Sequence, residues 1–454
     1  MQGKNFELND TLHSKVTPDG LHYLSALDRT QFQLGKLTES LAYLYKYSPY
    51  YKELFKNNNF KLSDIRSLQD IRSLPFTSKS DIQQYNDHFL CVAQNKVIDH
   101  CSTSGTLGEP VHILLTENDL QRLAINEYLG LQLAGVTSSD RIQLTTTMDK
   151  RFMAGLAYFL GARSMGCGVI RNGSGFPAMQ LETLFKFKPT VIIAVPSFLV
   201  KLIDYANDNS IDLKNSSIQK AICIGESIRS GNNKLNSLGQ RIHQQWPIEL
   251  YSTYASSEMQ TCFTECEMGN GGHLLSNLIY PEIIDDDGNP QVEGKSGELV
   301  ITTFGIEGMP LLRYKTGDIC SMVTAPCTCG RTSPRLMHIS GRKMQMLKIK
   351  GTSIYPSAIF NILDECTFIS NYATEAFYDH LNGDNLKISI SLKPGFNQNH
   401  LIEINEKLAS GLRLKPAIEV LTFEEIEKKL WKEGARKPSK FIDHRPLQKI
   451  NNHE

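Results

Sequence analysis

Apolar and polar positions along the chain change period several times, and each change marks an element. Over residues 37–55 apolar side chains recur every three or four positions, with Leu41, Leu44 and Tyr45 on one face. This predicts an amphipathic helix interrupted near Pro49. A polar, turn-rich stretch follows around the phrase LPFTSKSD (74–81), where Thr77 or Ser78 is placed to cap a helix. The middle of the chain then alternates. Residues 191–195 are a β-branched run that reads as a buried strand, and Pro196-Ser197 opens the amphipathic segment FLVKLIDYA. Residues 221–224 predict a second strand ending at Gly225, and 248–251 a third. Such alternation predicts α/β layers, in which ligands sit at the C-terminal ends of the strands. Residues 298–303 (ELVITT) read as a strand after the turn-rich GKSG and suggest an attached β subdomain.

After Gly341 the texture changes. Residues 347–350 predict a short strand and Pro356 the start of a helix; 373–378 and 386–392 flank NGD, a hairpin signal. A helix over 400–412 and a strand over 417–423 complete the set. The expected fold class is α/β: a large N-terminal domain with a β subdomain over 1–341, and a small mobile α+β domain over 342–454.

Composition narrows the partners. The 454 residues exceed the roughly 250–300 at which single cores stop growing. Lys plus Arg and Asp plus Glu number 48 each, so no bulk field attracts nucleic acid or an anionic membrane. The N-terminus MQGKNFELND lacks the build of a signal peptide, and the best apolar run, 191–200, is broken by Pro196 and Ser197. Ten cysteines are too sparse for a disulfide scaffold. These features predict a cytoplasmic chain with no nucleic-acid or membrane partner.

Ser102-Thr103-Ser104-Gly105-Thr106-Leu107-Gly108-Glu109-Pro110 carries the most chemistry. Hydroxyls and two glycines in so short a stretch let backbone and side-chain donors converge on an anionic oxygen. It is neither a Walker loop nor a GxGxxG loop. Gly225-Glu226 follows the second strand, and Tyr254-Ala255-Ser256-Ser257-Glu258 the third. YKTGD (314–318), Gly341-Arg342 and KIKGTSIYP (348–356) come later. In order and spacing these motifs resemble the adenylate-forming superfamily, most closely its phenylacetate-CoA ligase branch, from about Thr38 to Arg445.

The resemblance implies that an organic acid, aromatic or medium-chain, attacks the α-phosphate of Mg·ATP to give acyl-AMP. CoA then displaces AMP. Alternative readings are transfer to the phosphopantetheine of an acyl carrier protein, and a non-catalytic nucleotide-binding relative; a homodimer is a further option. Residues 102–108 would cradle the β- and γ-phosphates, although Glu109 stands where many relatives carry Lys. Gly225, Glu226, Tyr254, Ala255, Ser256 and Ser257 would wall the adenine pocket, Glu258 would hold Mg²⁺, and Asp318 would bind the ribose near Arg342. Lys437 aligns with the lysine that bridges the attacking carboxylate and the α-phosphate, with Lys440 as its rival. Met344 occupies the hinge site where relatives place Asp or Lys, with Lys343 adjacent.

Cys327 and Cys329 stand at C-x-C spacing, and Cys266 and His273 lie close together after Glu258. Together they supply the count and softness for a tetrahedral structural Zn²⁺, with Cys262 as the alternative to Cys266. The other six cysteines read as core, and none of the twelve histidines forms a recognisable hydrolytic motif.

Overall fold

The computed structural model describes residues 18–103, 110–231, 233–349, 352–378, 383–397, 400–412, 414–431 and 438–445. The N-terminal helix begins earlier than its apolar period indicates, at Ala26–Tyr47, because the Ser25 hydroxyl accepts from Asp28 N–H and caps it. Ser48 ends this helix and caps the next, Pro49–Asn57, so the break predicted near Pro49 is a cap with Pro at the first position. Leu41 and Leu44 are buried, as expected, whereas Tyr45 turns outward and is exposed. Tyr51, one turn into the second helix, takes the place in the core that Tyr45 does not fill. Its hydroxyl accepts from Leu312 N–H at 2.9 Å and lies 3.2 Å from Thr77 Oγ1. Because Thr77 donates its own proton to Leu312 O at 2.7 Å, Tyr51 donates to Thr77.

Among the described residues the main sheet has nine strands. Its parallel half runs Gly168–Arg171, Arg141–Leu144, Val191–Ala194, Lys220–Ile224 and Glu249–Ser256. Antiparallel pairing continues through Thr261–Glu265, Gly272–His273, Arg335–Leu336 and Met322–Val323. Val191–Ala194 is buried throughout, which is why its sequence does not alternate. The β subdomain is a four-stranded antiparallel sheet of Ile279–Ile284, Gly297–Thr303, Tyr314–Cys320 and Gly341–Arg342.

The smaller C-terminal domain has a core of its own, built around Leu347, Ile359, Leu363, Ile388 and Leu408. Its sheet runs Ala417–Val420, Asp384–Leu392, Ile369–Tyr378, Phe441–Asp443. The strand expected over 417–423 ends at Val420; Thr422 caps a further helix, Phe423–Leu430, through a reciprocal bond with Glu425. The four-residue Thr-Phe-Glu-Glu signal was available in the sequence and outweighs the aromatic residue. On the N-terminal side, Ser237 Oγ donates to Asn361 O at 3.1 Å, joining helices Ser237–Gln245 and Pro356–Glu365.

Two sets of bonds meet around residue 344. Lys343 Nζ lies 3.0 Å from Asp286 and 3.2 Å from the buried Glu298 of the β subdomain. Arg445, from the C-terminal domain, donates to the carbonyls of Met346 at 3.0 Å and Met344 at 3.4 Å, and to Asp384 and Asp443. Met344 itself is exposed.

One buried carboxyl has little compensation. Glu127, on helix Glu117–Leu133, accepts from the Asn126 amide at 3.0 Å, and burial pushes it from 4.5 up to about 8. Between those values the folded chain holds a proton that the unfolded chain has released, so this group makes stability fall as pH rises. Glu127→Gln is expected to raise the unfolding temperature near pH 8 more than near pH 5 in thermal scans; an equal shift at both would refute the assignment.

Candidate active site

Strands Asp99–Ser102 and His112–Leu115 pair antiparallel and flank the hydroxyl-rich segment in the sequence. Ser102 is buried, its N–H bonded to Arg151 O at 3.0 Å. Thr103 closes the loop base: its N–H donates to Val111 O at 2.9 Å, and its Oγ1 accepts from Val111 N–H at 3.0 Å. Ser104, Gly105, Thr106 and Gly108 lie outside the described residues, as does Lys437.

Gly225 ends strand Lys220–Ile224 with φ at +74°, a left-handed turn that suits glycine and redirects the chain at the strand end. Glu226 is committed elsewhere than a pocket wall. Its carboxylate accepts from Ser197 N–H and Ser197 Oγ, both at 2.9 Å, at the start of helix Pro196–Asp208. This satisfies orphan donors and favours negative charge at a helix N-terminus.

Tyr254, Asp318 and Arg342 come together from three segments. Asp318 is 5% exposed; one carboxylate oxygen accepts from Tyr254 OH at 2.7 Å and the other from Arg342 Nε at 3.2 Å. Backbone pairing opposes Asp318 to Arg342, which fixes the guanidinium beside the carboxylate. Burial and then the Asp318 charge push the Tyr254 phenol well above its ordinary range, so it remains a donor. A carboxylate has about four lone-pair directions, so Asp318 retains acceptor capacity for vicinal hydroxyls. Tyr254 itself lies on strand Glu249–Ser256, longer than the segment read over 248–251, and this extension carries Ala255 and Ser256 to the rim. Ser256 Oγ accepts from Met259 N–H at 3.3 Å, closing the turn that holds half-buried Ser257 and Glu258.

Lys79 belongs with this group, although sequence reading passed over it. It opens the helix capped by Ser78, is half-buried, and its ammonium is lowered by burial, partly offset by Glu258 and reinforced by Arg342. The site thus gathers Glu258, Asp318, Arg342, Tyr254 and Lys79. This combination suits a polyanion with a hard cation and a sugar diol.

The rival lysine is occupied. Lys440 Nζ donates to Tyr372 OH at 2.9 Å, sits 3.4 Å from Asp364 and lies 4.1 Å from the Tyr372 ring centroid.

On the far side of the antiparallel strands, Cys266, His273, Cys327 and Cys329 present ligand atoms all within 4.8 Å of one another. The Cys266 and Cys327 sulfurs are 3.8 Å apart, and Cys329 Sγ is 3.6 Å from His273 Nε2. Tetrahedral bonds of about 2.3 Å to sulfur and about 2.0–2.1 Å to nitrogen demand separations of about 3.8 and 3.6 Å, so the residues fit zinc. His273 Nδ1 lies 2.8 Å from Ser333 Oγ, which orients the ring with Nε2 toward the thiols. Burial lowers His273 to about 3, keeping it neutral as a ligand must be, and raises Cys266 to about 12. Cys262 stands apart, its thiol directed at Asn126 O. Cys91, Cys101, Cys167, Cys223, Cys320 and Cys366 are buried, as read from the sequence. His338 is half-buried against Gly231, and burial lowers the pKa of its imidazole.

Removing the Tyr254 hydroxyl leaves a buried carboxylate with one partner fewer. Tyr254→Phe is expected to lower the unfolding free energy by about 1.5–3 kcal/mol in urea titrations, the range for hydrogen bonds to charged groups; an unchanged midpoint and slope would contradict it.

The model of the AMP-binding enzyme family matches residues 63–307. The phenylacetate-coenzyme A ligase of Thermus thermophilus is 30% identical over 340 residues, covering 73% of this chain and 74% of that protein. The crystal structure of 2-hydroxyisobutyryl-CoA ligase in its postadenylation state superimposes with a TM-score of 0.82 at 20% identity, over 95% of this chain and 94% of the other. In its thioesterification state the same ligase gives 0.68 at 21% identity, over 98% and 97%. No helix among the described residues is long and apolar enough to cross a membrane. With more than half of its length matching the family model and 30% identity to the Thermus thermophilus protein, the chain belongs to the AMP-binding enzyme family, in the branch of the phenylacetate-coenzyme A ligases.

Proposed function

We propose that the chain is an AMP-forming acid–thiol ligase that activates an organic acid with ATP and passes the acyl group to CoA. In the first step a carboxylate oxygen attacks the α-phosphorus and pyrophosphate leaves. In the second, the thiol sulfur attacks the acyl carbon, AMP leaves, and the thiol proton is lost. The observation that carries this reading is the convergence of Tyr254, Asp318 and Arg342 with Glu258 and Lys79 at the C-terminal edge of the parallel sheet.

Asp318 accepts from the ribose hydroxyls, Glu258 holds Mg²⁺, and the loop over 102–108 binds the outer phosphates. Gly225 and residues 254–257 bound the adenine side, where Glu226 contributes through its backbone because its carboxylate caps a helix. Lys79 adds a second cation near Glu258, supporting charge spread at the reacting phosphate. Lys437 approaches from the C-terminal domain, and the engagement of Lys440 with Tyr372 and Asp364 supports choosing Lys437. The domain arrangement is read as that of the adenylation step, which the higher TM-score to the postadenylation structure supports. The Cys₃His cluster would hold a structural zinc, since its three thiols and imidazole supply all four ligands such a site needs.

Lys437→Ala is expected to lower acid-dependent pyrophosphate exchange by about 100-fold or more, the scale for losing one transition-state donor, while Lys440→Ala retains most of it. The reverse pattern would move the role to Lys440. Assayed with a panel of aromatic and medium-chain acids, the protein is expected to form the CoA thioester. Transfer only to a carrier-protein phosphopantetheine would replace CoA as the acceptor. Elemental analysis of the purified protein is expected to find one zinc per chain, lost in Cys327→Ser.

A further inference from the structure

The metal cluster and the nucleotide site share a wall. Cys266 follows directly on Glu265, the last residue of strand Thr261–Glu265, and the Glu265 carboxylate is almost fully buried. It accepts from Arg229 Nε at 3.0 and 3.1 Å, from Arg229 Nη2 at 3.0 Å and from Ser252 N–H at 3.0 Å. Arg229 in turn grips the chain just after Gly225-Glu226: its N–H donates to Ser227 Oγ at 3.3 Å and its carbonyl accepts from the same hydroxyl at 3.0 Å. Asn236 Nδ2 closes this turn on Ser227 O at 2.9 Å.

A second strut runs beside the first. The turn between the ligands Cys266 and His273 is closed by Gly269 N–H donating to Cys266 O at 3.0 Å. Gly269 has φ at +58°, and a Cβ there would lie 2.3 Å from Arg229 Nη2, so the turn touches the guanidinium directly. Next along, Asn270 Oδ1 accepts from Asn233 Nδ2 at 2.8 Å, and Asn270 O accepts from Arg335 Nη1 at 2.9 Å. Two bridges, joined where Arg229 Nη1 donates to Asn233 O at 3.3 Å, therefore lead from the Glu265–His273 stretch to the segment that follows Gly225, with Arg229 common to both.

We propose that a metal ion in the Cys266–His273–Cys327–Cys329 cluster positions the Gly225–Glu226 turn for nucleotide, through the Glu265–Arg229 and Asn270–Asn233 bridges. This inference rests on the zinc and nucleotide assignments above. Contacts of Cys266 with Cys327 and of Cys329 with His273, and the strand pairing of His273 with Arg335, already bring the four ligands together; an ion would add four bonds to them and so stiffen the turn that carries both bridges. Arg229 and Glu265 are positioning residues in this scheme. Neither bonds to the nucleotide.

Linkage makes the scheme measurable, since coupled sites must change each other's affinity by the same factor. The experiment follows zinc transfer from the loaded full-length protein to a chromogenic chelator, with and without saturating AMP, and AMP affinity by calorimetry at matched zinc occupancies. Saturating AMP is expected to tighten zinc by about fivefold or more, with the same factor appearing in AMP affinity. The double variant Arg229→Met/Glu265→Leu, apolar at both ends so that no buried charge is stranded, is expected to keep zinc and lose most of the linkage. Should that variant not fold, the measurement on the unaltered chain decides alone. Zinc held with equal affinity in both conditions overturns the coupling and leaves the zinc assignment intact; a protein that binds no zinc overturns both.

Discussion

The carboxylate of Asp318 is the charge on which the site is built. It is almost wholly withdrawn from water, and a buried anion persists only where donors surround it. Those donors come from the main sheet, through Tyr254, and from the last strand of the β subdomain, through Arg342. Satisfying one charge therefore sets the distance between two sheets. The same requirement explains why the phrase YKTGD lies on a strand and not in a free turn: strand pairing delivers Arg342 opposite Asp318. The bond from Thr316 Oγ1 to Leu299 O, and that from Asp318 N–H to Thr316 Oγ1, brace the backbone on which the carboxylate stands.

Much of this was legible in the sequence because the elements that bear the site obey local rules. A β-branched run such as residues 191–195 has one comfortable conformation, and a proline at the next position starts a helix. The metal cluster was legible for a different reason. Few residue types ligate soft metals, so Cys266, His273, Cys327 and Cys329 could be grouped without a fold, and the fold brings the four together. Cys262 shows what spacing alone leaves open: it is four residues from Cys266, yet it lies within strand Thr261–Glu265 with its thiol on Asn126 O, whereas Cys266 lies just past the strand end.

What escaped reading depends on partners far apart in the chain. Nothing near Glu226 announces that its carboxylate belongs to the helix starting at Pro196, because the unpaired N–H groups of that helix come within its reach only once the two strands lie side by side. Tyr45 and Tyr51 both fit an apolar face by period; the Ser48 cap rotates the second helix and gives Tyr51 the interior position, a decision no single-helix pattern contains. Lys79 was hidden by its setting, since a lysine in a polar, serine-rich stretch reads as solvated until Glu258 and Arg342 are seen beside it.

The anchors on either side of residue 344 have a mechanical implication. Lys343 is bound on the N-terminal side, where leaving would strand the anionic Glu298 in a nearly dry setting. Arg445 grips the very next carbonyl, and the one after its neighbour, from the C-terminal side. The single helical turn Lys343–Gln345 is thus held from both sides, so a change in its backbone angles would have to break one of these two sets of bonds.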